Sequence, residues 1–336
     1  MTFFRNLALF SFLILIVFSC KTDNREVVDT SSVQMDITVE NLDQELFNSK
    51  SVQDVQNFLN KHSYLKSLYF TDTQTDTSQL AAQLYNMSQN PGFQEFRSQI
   101  DTIIGDRSST IINPLKEAFK RIKVYYPDFK APKIQFMVSG FTGSDLYVSD
   151  SLVIVGVDFF GGQKALYRPN VYDYQLRKYQ KEYIAPSIVF FLSNKYNYLD
   201  AADATLLSEM IGYGKGYEFV KQVMPEVADS LVLGFSEDNL RRTYNSQLDI
   251  WSFFITNKLL YEKNELKKQK YIGERPFTVE IGNKVPGGIA KWLGWRIVSK
   301  YMEENPRITL QDLMKNGNSG QILQESGYKG QKDEEE

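Results

Sequence analysis

The sequence predicts a predominantly helical α+β domain with one small antiparallel sheet near residues 133–160, flanked by helices. Three observations predict it. Apolar residues recur at helical spacing over most of the chain, and helix-capping residues open several of those stretches. Only the 133–160 region is β-branched and aromatic instead.

Taken in order, the first helical signal is Ser51-x-x-Asp54, which has the form of a capping box, with a hydroxyl and a carboxylate each placed to satisfy a free backbone N–H. It opens SVQDVQNFLNKHSYLKSLYF, with Val55, Phe58, Leu59, Leu65 and Leu68 as its apolar positions. KIQFMVSGF and LYVSDSLVIVGVDFFGG follow, divided by Gly140, Gly143 and the Ser149-Asp150 pair. They read as two or three antiparallel strands joined by turns. TLLSEMI returns to a helical period ahead of Gly212, Gly214 and Gly216. Ser236, backed by Glu237 and Asp238, caps a long helix whose stripe is Leu240, Tyr244, Leu248, Trp251 and Ile255. Pro286-Gly287-Gly288 then breaks the chain before IAKWLGWRIVSKYMEE. There Ile289, Leu293, Ile297 and Tyr301 form one face, with Trp292 beside it. Thr309-x-x-Asp312 caps a last helix.

The N-terminus has the order of a secretory signal. Basic Arg5 precedes an apolar run from Leu7 to Phe18, and small Ser19 and Cys20 close it. The run is shorter than the ~20 residues that span a bilayer. Val17-Phe18-Ser19-Cys20 resembles a bacterial lipobox, which implies cleavage before Cys20 and acylation of that residue. An uncleaved anchor with an incidental cysteine is the alternative. Cys20 is the only cysteine, so no disulfide forms within the chain. The domain plan is then a signal peptide over 1–19, a flexible lipid-anchored tether over 20–34, one domain over 35–330 and an acidic tail over 331–336. Cleavage removes Arg5 and no acidic residue, so the formal net charge moves from −3 to −4. That mild, mixed charge leaves no polybasic footprint, and no nucleic-acid partner is expected.

The residue inventory limits the chemistry. Zinc sites draw three or four ligands from Cys and His. The mature chain offers one histidine, His62, read as a partly exposed helix residue, and an acylated Cys20. No HExxH, EF-hand spacing or GxSxG elbow occurs, so no metal, cofactor or catalytic residue is expected, although a hard cation such as Ca²⁺ needs only oxygen ligands and is not excluded by this inventory. Ser63-x-x-Lys66 matches a serine–lysine pattern at chance level. Asp158, Glu182 and Glu209 could supply paired carboxylates, yet nothing in their spacing favours that over salt-bridge roles.

MIGYGKGYEF (210–219) is the most unusual stretch. A phosphate loop needs GxxxxGK followed by Ser or Thr, between a strand and a helix; here Gly216 follows Lys215 behind a helical run. Glycine inside a helix costs about 1 kcal/mol relative to alanine, so three in five residues imply a neighbour that needs the room. Gly212 and Gly216, four apart on one face, are expected to seat a neighbouring helix. Lys215→Ala is expected to leave stability nearly unchanged unless a partner docks there.

Cys20, VGVDFFGG (155–162, with Asp158), EYIAPSIV (182–189, with Pro186), LLSEMIGYGKGYEF (206–219), SQLDIWSFFITNKLLY (246–261) and PGGIAKWLGWRIVSKYM (286–302) occur in this order. Together they resemble the gliding-motility lipoprotein GldB family. The motif positions are Asp158, Pro186, Glu209, Tyr213, Gly214, Lys215, Gly216, Pro286, Gly287, Trp292 and Trp295; Gly212 departs from the bulkier residue the family has there. The resemblance implies a lipid-anchored envelope component required for gliding and tied to the associated secretion machinery, held to the membrane through Cys20 and contacting other motility proteins. It further implies a zincin-like fold without its metal. In that fold a histidine-bearing helix would be APSIVFFLSN, and the position of a later glutamate would be Tyr213. A non-catalytic scaffold is the preferred reading, and an envelope hydrolase with a zinc-free site is the alternative.

Overall fold

The computed structural model describes residues 28–71 and 76–331. The signal peptide, Cys20, most of the tether and residues 332–336 of the acidic tail lie outside the described residues. Helices dominate, around one four-stranded sheet: β1 (Val39–Asn41), β2 (Lys133–Met137), β3 (Leu146–Val148) and β4 (Leu152–Gly156).

The sheet is mixed rather than antiparallel, which corrects the sequence reading. Its order is β1-β2-β4-β3, with β1 parallel to β2, β2 parallel to β4, and only β3 antiparallel to β4. The chain leaving β2 passes to the outer edge as β3, and the Ser149–Ser151 turn brings β4 back into the gap beside β2. Central parallel strands are covered on both faces and read as continuous apolar runs, and β2 and β4 are buried from their second residue onward.

Strand alternation divides two cores. Ile134, Phe136, Val153 and Val155 face the larger core, which includes the helices Pro91–Ile104, Asn113–Tyr125, Ile184–Ser193, Leu206–Val223 and Ile289–Glu304. Met137 and Ile154 face a smaller one with Leu46, Val55, Phe58, Leu59, Leu65 and Leu80. Met35 is buried and packs into the larger core.

Capping residues act as read. Ser51 accepts from the Asp54 N–H, Ser236 from that of Asn239, and Thr309 with Asp312 completes a full capping box. Two predicted helices, however, are broken. The first stops at His62, between Val52–Lys61 and Tyr64–Leu68. His62 is buried rather than partly exposed, because its ring is held between Glu45 Oε2 at 3.1 Å and the Tyr64 hydroxyl at 3.2 Å. The second breaks at Ser246, between Glu237–Asn245 and Gln247–Thr256. That break turns the second segment, so Gln247, Ile250 and Phe254 are buried while Leu248 and Ile255 of the predicted stripe are 59% and 46% exposed.

Leu206–Val223 is the central helix; of its residues only Glu209, Tyr213 and Gln222 are not buried. A helix enclosed on all sides needs close neighbours, and the closest is Ile289–Glu304. A Cβ on Gly214 would lie 2.4 Å from the Gly294 carbonyl oxygen, and a Cβ on Gly294 would lie 1.9 Å from that of Met210. The backbone-to-backbone approach is therefore at Gly214 and Gly294, not at Gly212 and Gly216 as the spacing suggested. A Cβ at those two would meet side chains, Leu199 and Phe190, each at 2.7 Å. Trp295 and Ser299 tie the same pair of helices by donating to Glu218 Oε2, each at 3.1 Å.

Candidate functional site

On the outer side of the central helix, aromatic residues gather where it meets Ile184–Ser193. Phe190 stacks on Tyr213 with ring centroids 6.2 Å apart and planes 12° apart, and lies 5.1 Å from Tyr217. Tyr217 meets Trp295 edge-on at 5.9 Å. Gly216 leaves the space that the Phe190 ring occupies. Phe190, Tyr213 and Tyr217, with Pro186, Tyr179 and the 231–234 segment, wall a cleft of about 370 Å³.

One end of the cleft continues into a chamber of about 100 Å³, lined by Arg177, Lys178, Glu274, Arg275, Pro286 and Gly287. Tyr217 and Lys291 belong to both. The chamber wall is built by a tight closure of the chain. Thr278 Oγ1 donates to the Pro286 carbonyl at 2.8 Å, and a Cβ on Gly287 would lie 2.0 Å from the Arg275 carbonyl oxygen, so only glycine fits there. Gly288, at φ 71°, then starts the 289–304 helix, which places Lys291 in its first turn.

Charge is concentrated at the chamber. Lys178 donates to Glu274, and Gln175 Nε2 donates to the same carboxylate at 3.2 Å. Burial works to raise the Glu274 pKa, but the Lys178 ammonium and these hydrogen bonds outweigh it and hold the carboxyl below its ordinary value. Burial pushes Lys291 down to about 8, with repulsion from Lys178 adding to it and Glu274 opposing. Its Nζ lies 4.6 Å from the Tyr213 ring centroid. Burial raises the Tyr213 and Tyr217 hydroxyls, so both stay protonated at neutral pH. The arrangement offers hydrogen-bond donors, cations and apolar walls, the equipment of a binding cleft.

Of the residues singled out in the sequence, Pro186, Tyr213, Pro286 and Gly287 line this cleft, Gly216 sits beneath Phe190, and Trp295 supports Tyr217. The others lie elsewhere. Trp292 is fully buried and packs edge-on against Tyr244. Glu209 pairs with Lys268, which also reaches Glu265 at 2.6 Å. Lys215 is fully buried and donates to the carbonyls of Tyr198 and Asn316, at 2.7 and 2.9 Å. Burial lowers its pKa to about 8. It is a structural tie between two loops, so the expectation of a dispensable lysine is corrected.

Asp158 is buried at the end of β4. Its Oδ2 accepts from the Ser139 and Phe141 N–H groups, each at 3.0 Å, and so holds a turn in which Gly140 and Phe141 both have positive φ. Burial raises its pKa to about 6 against the pull of those donors.

The zincin-like reading names two helices and the position of Tyr213. The helix assigned to the histidines and the helix bearing Tyr213 do lie side by side, but Phe190 and Tyr213 meet there, and neither is a zinc ligand. Among the described residues no three His, Cys, Asp or Glu side chains group closely enough to hold a metal ion. His62 lies in the smaller core region, beside Phe58.

Sequence reasoning missed Phe190, Tyr217, Lys291, Arg177, Lys178 and Glu274. Two signals were available: Tyr213 and Tyr217 share a face four residues apart, and Lys291 interrupts the apolar run IAKWLGW. Arg177, Lys178 and Glu274 sit in aperiodic segments that carry no such signal.

A family model described as gliding motility protein GldB matches residues 23–330. No curated protein and no solved structure matches the chain.

Proposed function

The chain belongs to the gliding motility protein GldB family, and from that membership we propose that it is a lipid-anchored component of the cell envelope that serves gliding and the associated protein secretion machinery. Acylated Cys20 holds it to the membrane, and the folded domain acts as a non-catalytic scaffold that contacts other motility and secretion proteins. The family match over residues 23–330 carries this reading. The lipobox-like Val17-Phe18-Ser19-Cys20 supports the anchoring. Two or more acyl chains hold a protein durably, where one binds only marginally. No helix among the described residues is long and apolar enough to cross a membrane. The aromatic and cationic lining of the cleft supports binding rather than turnover.

Crosslinking in living cells from photoreactive residues placed on the domain surface, with identification of the captured proteins, tests the scaffold role. Motility and secretion proteins of the envelope are the expected captures, and their absence from every position would overturn it. A peptidase and glycosidase screen of the purified protein tests the non-catalytic part: reproducible turnover, abolished by substitutions in the cleft, would replace the scaffold with a hydrolase.

A further inference from the structure

Phe190, Pro186, Leu231 and Val232 line the wide part of the cleft, with Asp145 also on its wall and Lys178, Lys291 and Glu274 where it meets the chamber. Four cations, Arg177, Lys178, Arg275 and Lys291, line the narrow chamber at its end, against the single carboxylate of Glu274. Two of the four are neutralised, Lys178 by Glu274 and Arg275 by Glu280 at 3.0 Å. Arg177 and Lys291 make no salt bridge and no side-chain hydrogen bond among the described residues, and the attraction of Glu274 for Lys291 is shared with Lys178. In direct contact Lys291 has the face of Tyr213, worth about 0.5–2 kcal/mol, well short of the hydration it gives up in a half-closed site.

Two cations without a salt bridge, at the end of a largely apolar cleft, are completed by an anion with an apolar body. The charge of that anion is limited by Glu274, which stays ionised in the same chamber and repels a dianion more strongly than a monoanion. The small volume of the chamber suits a compact, planar head, and a guanidinium can grip a carboxylate through two parallel hydrogen bonds. The wide part accepts an aliphatic or aromatic body against the Phe190–Tyr213 wall.

We infer that the cleft binds a carboxylate carried on an apolar or aromatic body, with Arg177 and Lys291 at the carboxylate and Phe190 and Tyr213 along the body. A free carboxylic acid and the C-terminal residue of a peptide share this chemistry. The inference stands on the cleft alone and is independent of the motility role.

The test uses the full chain reconstituted in phosphatidylcholine nanodiscs and isothermal titration calorimetry, with empty discs subtracting partition into lipid. The probes are 4-phenylbutyrate and its amide, and the peptide Ala-Leu-Phe as free acid and as C-terminal amide. At least one free acid binds, its amide binds about tenfold or more weakly, and Lys291→Gln and Arg177→Gln each weaken the acid by about tenfold. Both substituted side chains border the cleft, and an unchanged thermal transition establishes that each variant is folded. Binding of phenylbutyrate alone assigns the site to small acids; binding of the peptide acid assigns it to peptide termini. Equal binding of acid and amide, an affinity untouched by either substitution, or no heat from any probe up to about 10 mM would overturn the inference.

Discussion

Gly214 and Gly294 face each other across the helices Leu206–Val223 and Ile289–Glu304, so closely that a Cβ on Gly214 would lie 2.4 Å from the Gly294 carbonyl oxygen and 2.9 Å from the Trp295 nitrogen. The obstacle is backbone on both sides, which no rotamer change relieves. Gly214→Ala and Gly294→Ala must therefore push the helices apart and are each expected to cost about 3 kcal/mol or more, at the upper end of overpacking effects. Gly212→Ala meets only the mobile end of Leu199 and gains helix propensity of about 1 kcal/mol, so it should change stability by less than about 1 kcal/mol. Urea unfolding of the three variants separates these outcomes.

Lys215 is the second test of how the central helix is held. Lys215→Ala opens a cavity and leaves the Tyr198 and Asn316 carbonyls without their donor, an expected loss of about 2–4 kcal/mol. Lys215→Met fills the space of the stem and removes a buried charge, so it should lose less than half as much. Equal losses would mean that the ammonium, not the packing of its stem, is what the fold needs.

Asp158 predicts a pH dependence. Its folded pKa of about 6 lies above the ordinary 3.8, so the folded state binds the proton more tightly than the unfolded chain. The contribution is most favourable below about pH 4 and is lost as pH rises through 6, amounting to about 3 kcal/mol at most. Asp158→Asn keeps an oxygen for the Ser139 and Phe141 N–H groups and does not titrate. Relative to wild type, the variant should therefore be less destabilised at pH 7 than at pH 4. Unfolding free energies of both proteins at the two pH values check the sign; a constant difference would refute it.

Cys20→Ala is expected to abolish incorporation of labelled fatty acid and to release the protein from the membrane fraction in flotation gradients. Retained label would place the acyl group elsewhere.

Much of this fold was legible because its signals are local. Ser51, Ser236 and Thr309 cap helices through contacts three residues away, and Pro286-Gly287-Gly288 ends one segment just before another begins. What depended on distant partners was not legible. The parallel pairing of β2 with β4 comes from β3 taking the outer edge, which nothing in either strand encodes. The break at Ser246 exposes Leu248 and Ile255 although their spacing from Leu240 is helical throughout. In MIGYGKGYEF the glycines announced a close approach, but which glycine makes it depends on where Gly294 lies, eighty residues on. The cleft was half legible for the same reason. Tyr213 and Pro286 come from distinctive motifs, whereas Arg177 and Glu274 acquire their place only through the fold.

The most direct test of the account is surface spreading of cells from which this chain has been deleted. Cells lacking it should fail to spread and should recover with the wild-type chain but not with Cys20→Ala. Normal spreading of the deletion strain would contradict the proposed role outright.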